Sequence, residues 1–357
     1  MKILFVCPIH TTSGWGVAAR EYARSLLTFT EDLKIANFYM GGGEEDGGEF
    51  QPYISKKMDE FDVLLQMALP SFLYRDNRFK VNASLFFSET ILESNDSIFK
   101  RLEIIDRPFF ASKNEASQFL SGNAKSQSIG IPCSAEIGNR EYVDIRSHFK
   151  ANEDTYTFYT IAEDNERKNL DALVKAYLTG FTNKDNVSLV IKTSSSGLKN
   201  RVAAIKQVIR DRDQGFYPPI YIINQRSSDE DIYALHQACN CFVNTSHGES
   251  WCIPAYHAML FKNHIIYPAD TGLEDFLGKT SAKKYQTILD YCNVSNPPLP
   301  YYYTGQEMWR YGNTSEIAFL MQDALRNKRS LIGGITEAAN KYSYESVGRK
   351  IKTCLES

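Results

Sequence analysis

Nothing in the cysteine pattern supports a disulfide framework or a zinc site: the seven cysteines are odd in number and include no Cys-x-x-Cys pair. Apolar runs approaching the roughly 20 residues of a membrane span are missing too. The short apolar start, Met1 to Pro8, has no small-residue cleavage site behind it and does not read as a signal peptide. An excess of charge of one sign is missing: a net charge of −3 over 357 residues argues against a general nucleic-acid coat, although local basic patches stay open. The six histidines show no metal-ligand spacing, and no repeat recurs at a fixed period. These absences predict a cytoplasmic protein with reduced thiols and no transmembrane segment. Asn-x-Ser/Thr triplets such as the one at Asn244 carry no message in that compartment.

What is present is apolar material for two cores: 43 % of the residues are hydrophobic, and 357 residues exceed one ordinary domain. Short apolar runs alternate with amphipathic segments, the pattern of parallel sheets covered on both faces, so the fold class is α/β. In the first half, strands are expected at Lys2–Cys7, Leu33–Tyr39, Val63–Met67, Ala83–Phe87, Pro108–Ala111 and Ile129–Cys133. A helix is expected at Val17–Leu27 and a glycine-rich acidic loop at Gly41–Gly48. The polar stretch Ser134–Asp154 reads as a linker, with a strand or an ordered loop open for part of it. Beyond it, strands are expected at Thr155–Ile161, Ser188–Lys192, Ile220–Ile223 and Cys239–Thr245, where Cys239 and Cys241 would share one packed face. Helices are expected at Asn169–Phe181, Arg201–Asp211, Asp229–Ala238 and Tyr344–Leu355. The domains are expected at 1–134 and 135–337.

The densest chemistry lies in His247-Gly248-Glu249-Ser250-Trp251-Cys252-Ile253-Pro254-Ala255-Tyr256-His257-Ala258-Met259. A carboxylate stands at the mouth of a buried strand. A tight turn follows, then a helix from about Pro254, where the missing N–H of proline costs nothing. Backbone N–H groups at such a turn attract anions, and Glu249 accepts hydroxyls. Together they suit a sugar attached to phosphate. A second constellation, Glu166-Arg167-Lys168-Asn169, follows a strand about 80 residues earlier and opens a helix. Two cations there can neutralise a diphosphate leaving group, or simply form a solvated helix start. Parallel topology brings both turns to one sheet edge, where ligands bind.

The Gly-Glu-x-x-x-x-Pro-x-x-x-Ala-Met frame around Glu249 resembles the Glu-x7-Glu motif of family 4 retaining glycosyltransferases, and Lys168-Asn169 resembles that family's Lys-Gly or Lys-Asn pair. The resemblance implies two facing Rossmann-like domains of the GT-B type with a cleft between them. The last helix, within 338–357, would pack back on the first domain, which would bind the acceptor, while the second would bind a nucleoside diphosphate sugar. It implies that Glu249 touches the donor sugar, that Lys168 with Arg167 stabilises the departing phosphate, and that the amides of Ser250, Trp251 and Cys252 add donors. His257 takes the position of the second glutamate, which in the family holds the nucleotide ribose. A neutral imidazole still makes one such hydrogen bond, or the ring packs as an ordinary helix residue. No metal and no cofactor beyond the nucleotide-sugar co-substrate is implied. The family's earlier arginine is missing near Ala162 or Glu163.

Ser13-Gly14-Trp15-Gly16 follows the first strand, and Gly14 and Gly16 would let backbone approach the donor. Gly14-x-Gly16-x-x-Ala19 also matches a dinucleotide fingerprint, which leaves an NAD-dependent oxidoreductase open. Against it stand a long loop from Cys7 and a second strand that ends without the ribose-binding acid. A catalytically silent sugar-nucleotide binder is the other alternative. Arg20 reaches an anion or sits on the surface. Glu89, at the end of a buried strand, is a candidate acceptor contact or a helix cap, and His10 a weaker one. The acceptor is a glycan, a lipid, a small molecule or, less readily, a modified nucleic-acid base. Asp229-Glu230-Asp231 has the Asp-x-Asp form of a metal site, but capping of the following helix explains it. Tyr301-Tyr302-Tyr303, after Pro297, Pro298 and Pro300, would stack on a sugar or base, or form a surface loop.

Overall fold

The computed structural model describes residues 1–39, 45–91, 96–119, 127–213, 217–292, 307–328 and 330–357. Residues 41–44 of the glycine-rich loop and the whole proline and tyrosine stretch Pro297–Tyr303 lie outside the described residues. The chain forms two compact units, Met1–Ala135 with Glu337–Ser357, and Glu136–Thr336.

The first unit is built on strands β1 (Ile3–Cys7), β2 (Leu33–Asn37), β3 (Val63–Met67), β4 (Val81–Phe86), β5 (Arg107–Phe110) and β6 (Gln127–Ser128). They form one parallel sheet in the order β2-β1-β3-β4-β5-β6. Every residue of β3 is buried, as expected where helices cover both faces and the strand reads as a continuous apolar run. The Gly14–Leu27 helix packs on the closing Tyr344–Glu356 helix. There the Ser25 hydroxyl donates to the Tyr344 carbonyl and the Tyr344 hydroxyl to Glu21, 3.0 and 2.6 Å away. The expected strand Ile129–Cys133 is not one. The ladder ends at Ser128, and the chain leaves the sheet after Ile129 N–H donates to Phe110.

The second unit carries β7 (Tyr156–Ile161), β8 (Val187–Lys192), β9 (Ile220–Ile223), β10 (Cys241–Val243), β11 (His264–Pro268) and β12 (Lys283–Tyr285). These pair in parallel in the order β12-β11-β10-β7-β8-β9. The Leu170–Gly180 and Thr314–Asn327 helices bury Leu173, Tyr177, Ile317 and Met321 against Phe158, Leu189 and Val243 of this sheet. Each such large side chain contributes roughly 1.5–3 kcal/mol by leaving water. The expected strand Cys239–Thr245 shrinks to three residues because its ends are spent otherwise. Cys239 closes the Asp229–Ala238 helix, and Asn244 and Thr245 already belong to the turn beyond. Both Cys239 and Cys241 are buried, with thiols that burial pushes up. Ser134–Asp154 is an ordered loop: Tyr142 lies on the Tyr233 and Phe261 rings, 5.5 and 5.7 Å between centroids, and exchanges hydrogen bonds with Gln237.

Between Leu260 and Ser343, where the sequence pattern offers no clear element, the chain adds β11, β12 and an antiparallel hairpin, β13 (Thr287–Tyr291) with β14 (Met308–Gly312). Two further helices, Thr314–Asn327 and Ile335–Lys341, follow.

Candidate functional site

Reading outward from β7, the second sheet adds β8 and β9 on one side and then β10, β11 and β12 on the other. The order reverses between β7 and β10. In open α/β sheets the carboxyl ends of strands at such a switch point are where ligands bind. The loops leaving these two strands contain Arg167, Lys168 and Glu249.

After β7, the Asn165 side chain accepts from Lys168 N–H at 3.0 Å and sets a tight 3-10 turn over Glu166–Lys168. Asn169 follows in the left-handed region, φ 48°. Glycine and asparagine are the residues that visit it most readily, which accounts for asparagine at this point. The helix starts only at Leu170, so the basic pair precedes the helix instead of opening it. Thr245, just after β10, donates to the carbonyls of Lys168 and Asn169 at 3.2 and 3.0 Å, and His247 N–H donates to the Arg167 carbonyl at 2.7 Å. These bonds fasten the two loops together.

Glu249 sits at the centre. Its Oε1 accepts from Lys168 Nζ at 2.7 Å, Ser246 Oγ at 2.7 Å and Asn244 Nδ2 at 3.3 Å. Oε2 lies 3.6 Å from Arg167 Nη1, which donates at 2.7 Å to the Gly248 carbonyl. The side chains are nearly dry, 3 % exposed for Glu249, 16 % for Lys168 and 11 % for Arg167, so their attraction is far stronger than that of a surface pair. Burial opposes charge on Glu249, yet the Lys168 ammonium and Arg167 guanidinium hold its carboxyl well below the usual carboxylate range. The site thus presents an ionised carboxylate and two cations, fixed by neighbours before any ligand arrives.

Asn244 and Ser246 are contacts that the sequence does not single out. Their proximity to Glu249 in the same turn is the only signal. Tertiary structure alone supplies β14: Arg310 N–H donates to the His247 carbonyl at 2.8 Å, and His247 Nδ1 is 3.0 Å from the Arg310 carbonyl oxygen. Trp309 and Tyr311 flank the His247 ring, 5.4 and 4.4 Å between centroids. The Arg310 guanidinium approaches Asp270 at 3.7 Å.

Of the expected donor contacts, Ser250 and Trp251 are buried, and the Trp251 ring is packed against Tyr256 and Phe276 at 5.7 and 4.9 Å. Cys252 caps the Ile253–Leu260 helix at φ 70°, a left-handed conformation that costs a non-glycine residue roughly 1–2 kcal/mol. Its Sγ lies 3.2 Å from Asn244 Nδ2, and burial pushes the thiol up to about 12. The His257 ring is packed at 5.4 Å from Tyr233 and 5.8 Å from His236, and burial depresses its pKa to about 4, so the imidazole is neutral.

In the first unit, Gly14 is exposed and Gly16 buried at the start of the helix after β1. A Cβ at Gly16 would overlap the Thr11 carbonyl oxygen, so close packing of the preceding loop is what requires glycine there. Arg20 donates to the carbonyls of Ile9 and Thr11, both at 3.0 Å, and holds that same loop. His10 Nδ1 is 2.8 Å from the Glu45 carbonyl oxygen, and His10 N–H donates to Asn37 at the end of β2. Glu89 is half-buried in the loop after β4. Asp231 forms a capping box with Ser228, each side chain accepting from the other's N–H. Among the described residues, no three His, Cys, Asp or Glu side chains are grouped to hold a metal, and no helix is long and apolar enough to cross a membrane.

No protein-family model matches the sequence, and no curated protein does. Solved structures match in shape. The Anabaena protein HepE in complex with UDP-glucose is 12 % identical, with 100 % of this chain and 99 % of that one covered and a TM-score of 0.69. An E. coli trehalose-6-phosphate protein bound with UDP-2-fluoro glucose is 12 % identical, with 100 % and 99 % covered and a TM-score of 0.66. A glycosyltransferase from Rickettsia africae is 12 % identical, with 99 % and 97 % covered and a TM-score of 0.61. At this identity the likeness establishes the fold, two Rossmann-like domains of the GT-B type.

Proposed function

We propose that the chain is a retaining glycosyltransferase that moves a sugar from a nucleoside diphosphate sugar to an acceptor without a metal ion or cofactor. The observation that carries this reading is the buried cluster of Glu249, Lys168 and Arg167 at the switch point of the second sheet. Lys168 and Arg167 stabilise the diphosphate as it leaves, Glu249 orients the sugar hydroxyls, and the backbone of Ser250 to Cys252 adds donors. Catalysis is then electrostatic, supplied by charges already in place. That HepE and the E. coli protein are complexed with UDP-glucose and UDP-2-fluoro glucose supports a donor of this kind. The donor is assigned to the second unit, and His10 and Glu89 of the first to the acceptor, with Gly16 spent on packing against Thr11.

The His257 geometry favours a second reading, a silent sugar-nucleotide binder, because a neutral ring packed on His236 stands where the resemblance puts a carboxylate. Release of nucleoside diphosphate from a panel of UDP-, GDP- and ADP-sugars separates the two. The enzyme reading expects release with at least one donor, unaffected by a chelator and slowed about a hundredfold in Lys168→Met. Donor binding without release, under every acceptor tried, would leave only the silent binder. The anomeric configuration of the product, read by NMR, tests retention.

A further inference from the structure

We propose that the second unit carries a further binding site, for a small phosphate monoester, at the amino-end edge of its sheet. The site is independent of the transferase reading, because Glu249, Lys168 and Arg167 follow the carboxyl ends of β7 and β10, at the opposite edge of the same sheet. A cavity of about 380 Å³ opens at the amino ends. Lys150 and Asn152 line it from the chain leading into β7, Lys184 and Asn186 from the chain leading into β8, and Pro219 from the chain leading into β9. Its volume falls within the roughly 300–1,000 Å³ of small-molecule sites.

The walls are fixed by turns. The 3-10 turn Arg146–Phe149 ends on Lys150, and the N–H groups of Lys150 and Ala151 donate back to the carbonyls of Ser147 and Arg146. Lys150 has a φ of 51°, in the left-handed region that glycine and asparagine visit more readily than lysine. The Asn152 side-chain oxygen accepts from the N–H groups of Asp154 and Thr155, both at 3.0 Å. Before β8, the Asp185 carboxylate accepts from the N–H and the hydroxyl of Thr182 at 2.8 and 3.0 Å, which fixes the turn that contains Lys184. Phe149 is buried, its ring tilted against that of Tyr221 at 6.4 Å between centroids.

The groups left over are donors. Lys150 and Lys184 are exposed, and neither side chain makes an ion pair or hydrogen bond among the described residues. The side-chain oxygens of Asn152 and Asn186 lie 3.0 and 3.1 Å from Thr155 Oγ1, while their amide nitrogens, and that of Asn183, donate to no described residue. Asp185 is the one carboxylate among the lining residues, and Thr182 already engages it. Ammonium and amide donors without matching acceptors select an anion rich in acceptor oxygens. A phosphate monoester brings roughly −1.5 to −2 charges near neutral pH and three such oxygens, enough for two ammonium groups, whereas a lone carboxylate leaves one of them unanswered. Lysine binds phosphate as a point charge, and its flexible stem lets the ammonium follow the ligand. A divalent cation is repelled by the same two lysines. Phosphatidic acid presents the same group at a membrane, so vesicles separate the two sources.

Isothermal titration calorimetry at low ionic strength, where exposed charges are least screened, tests the site on the full chain. The probes are glycerol 3-phosphate, ribose 5-phosphate and phosphoserine, each beside its unphosphorylated counterpart, with vesicles of phosphatidic acid in phosphatidylcholine as the membrane source. The expected result is binding of at least one soluble ester and not of its counterpart, weakened about tenfold or more when Lys150→Gln and Lys184→Gln are combined. Affinity should be unchanged in Lys175→Gln, an exposed lysine of the same unit outside the cavity, and in Lys168→Met. Matching melting temperatures show that the variants are folded. The site is overturned if no soluble ester binds, if the unphosphorylated counterparts bind equally well, or if the double variant binds like the parent chain. It is equally overturned if Lys175→Gln weakens binding as much, if Lys168→Met abolishes it, or if only the vesicles depend on Lys150 and Lys184.

Discussion

The carboxyl-end edges of the two sheets occupy equivalent places in their units and are built from opposite chemistry. In the second unit a buried carboxylate, Glu249, is balanced by two side-chain cations, Lys168 and Arg167. In the first, the buried carboxylate Glu115 is balanced by backbone N–H groups, and an aromatic column of Trp15, Phe87 and Tyr22 lies beside it. Full charges line one edge, and packed aromatic rings the other. One topology therefore carries two kinds of loop chemistry, set by the loop residues.

The comparison breaks most visibly at Glu249. Glu249→Ala is expected to slow sugar release or transfer by roughly a hundredfold or more, the 3–4 kcal/mol usual for a lost electrostatic contact. Initial rates of nucleoside diphosphate release measure it, with circular dichroism to show that the chain stays folded. Near-normal turnover would remove the charged edge from the chemistry.

Acid sharpens the contrast next, because the second unit also buries His257 and His236 side by side. His257 is depressed to about 4 and His236 well below its ordinary value, both by burial, with the neighbouring His257 also lowering His236. An unfolded imidazole titrates near 6.5, so the unfolded chain takes up protons that the folded one refuses. Their stability contribution is complete above pH 6.5 and is lost as pH falls toward about 4, up to roughly 3 kcal/mol for His257. Melting temperatures measured from pH 7.5 down to 4.5 should drop, and His257→Leu should flatten part of the drop; a parent profile that is already flat contradicts the buried pair.

A smaller effect is expected at Gly16. Gly16→Ala pushes a methyl into the Thr11 carbonyl and should cost about 1–3 kcal/mol in denaturant unfolding, while donor affinity in the second unit stays within about twofold. A larger loss of donor affinity than of stability would make Gly16 a ligand contact after all. The smallest change belongs to the capping box: Ser228→Ala should cost about 1 kcal/mol. Its transfer rate should remain the same with or without magnesium, and a magnesium-dependent loss would restore the metal reading of Asp229 to Asp231.

Much of the architecture is legible because a buried parallel strand is a short apolar run wherever it occurs. Val63–Met67, Ile220–Ile223 and Thr155–Ile161 read that way and lie in strands with the same or nearly the same bounds. Ile129–Cys133 misleads for the same reason: the run is apolar and buried, but it has left the ladder. The hairpin of β13 and β14 escapes because strand pairing depends on a partner far along the chain, and Thr287–Tyr291 is largely exposed with no core to impose alternation. At the site, Glu249, Arg167 and Lys168 are readable as charges following apolar strands. Their contact is not, since 81 residues separate Lys168 from Glu249.

What the amino-acid order determined by itself was local. Apolar runs, glycine and asparagine at turns, and charges placed just beyond strand ends follow from backbone sterics and hydrophobic period, which act over a few residues. Tertiary structure decided the rest: that Lys168 meets Glu249, that His257 turns to His236, that Arg20 donates to the carbonyls of Ile9 and Thr11, and that Trp15 is less buried than Trp251 and Trp309. Those outcomes depend on which strands become neighbours. That choice is made by burying both sheets at once, a collective property that no short window of sequence contains.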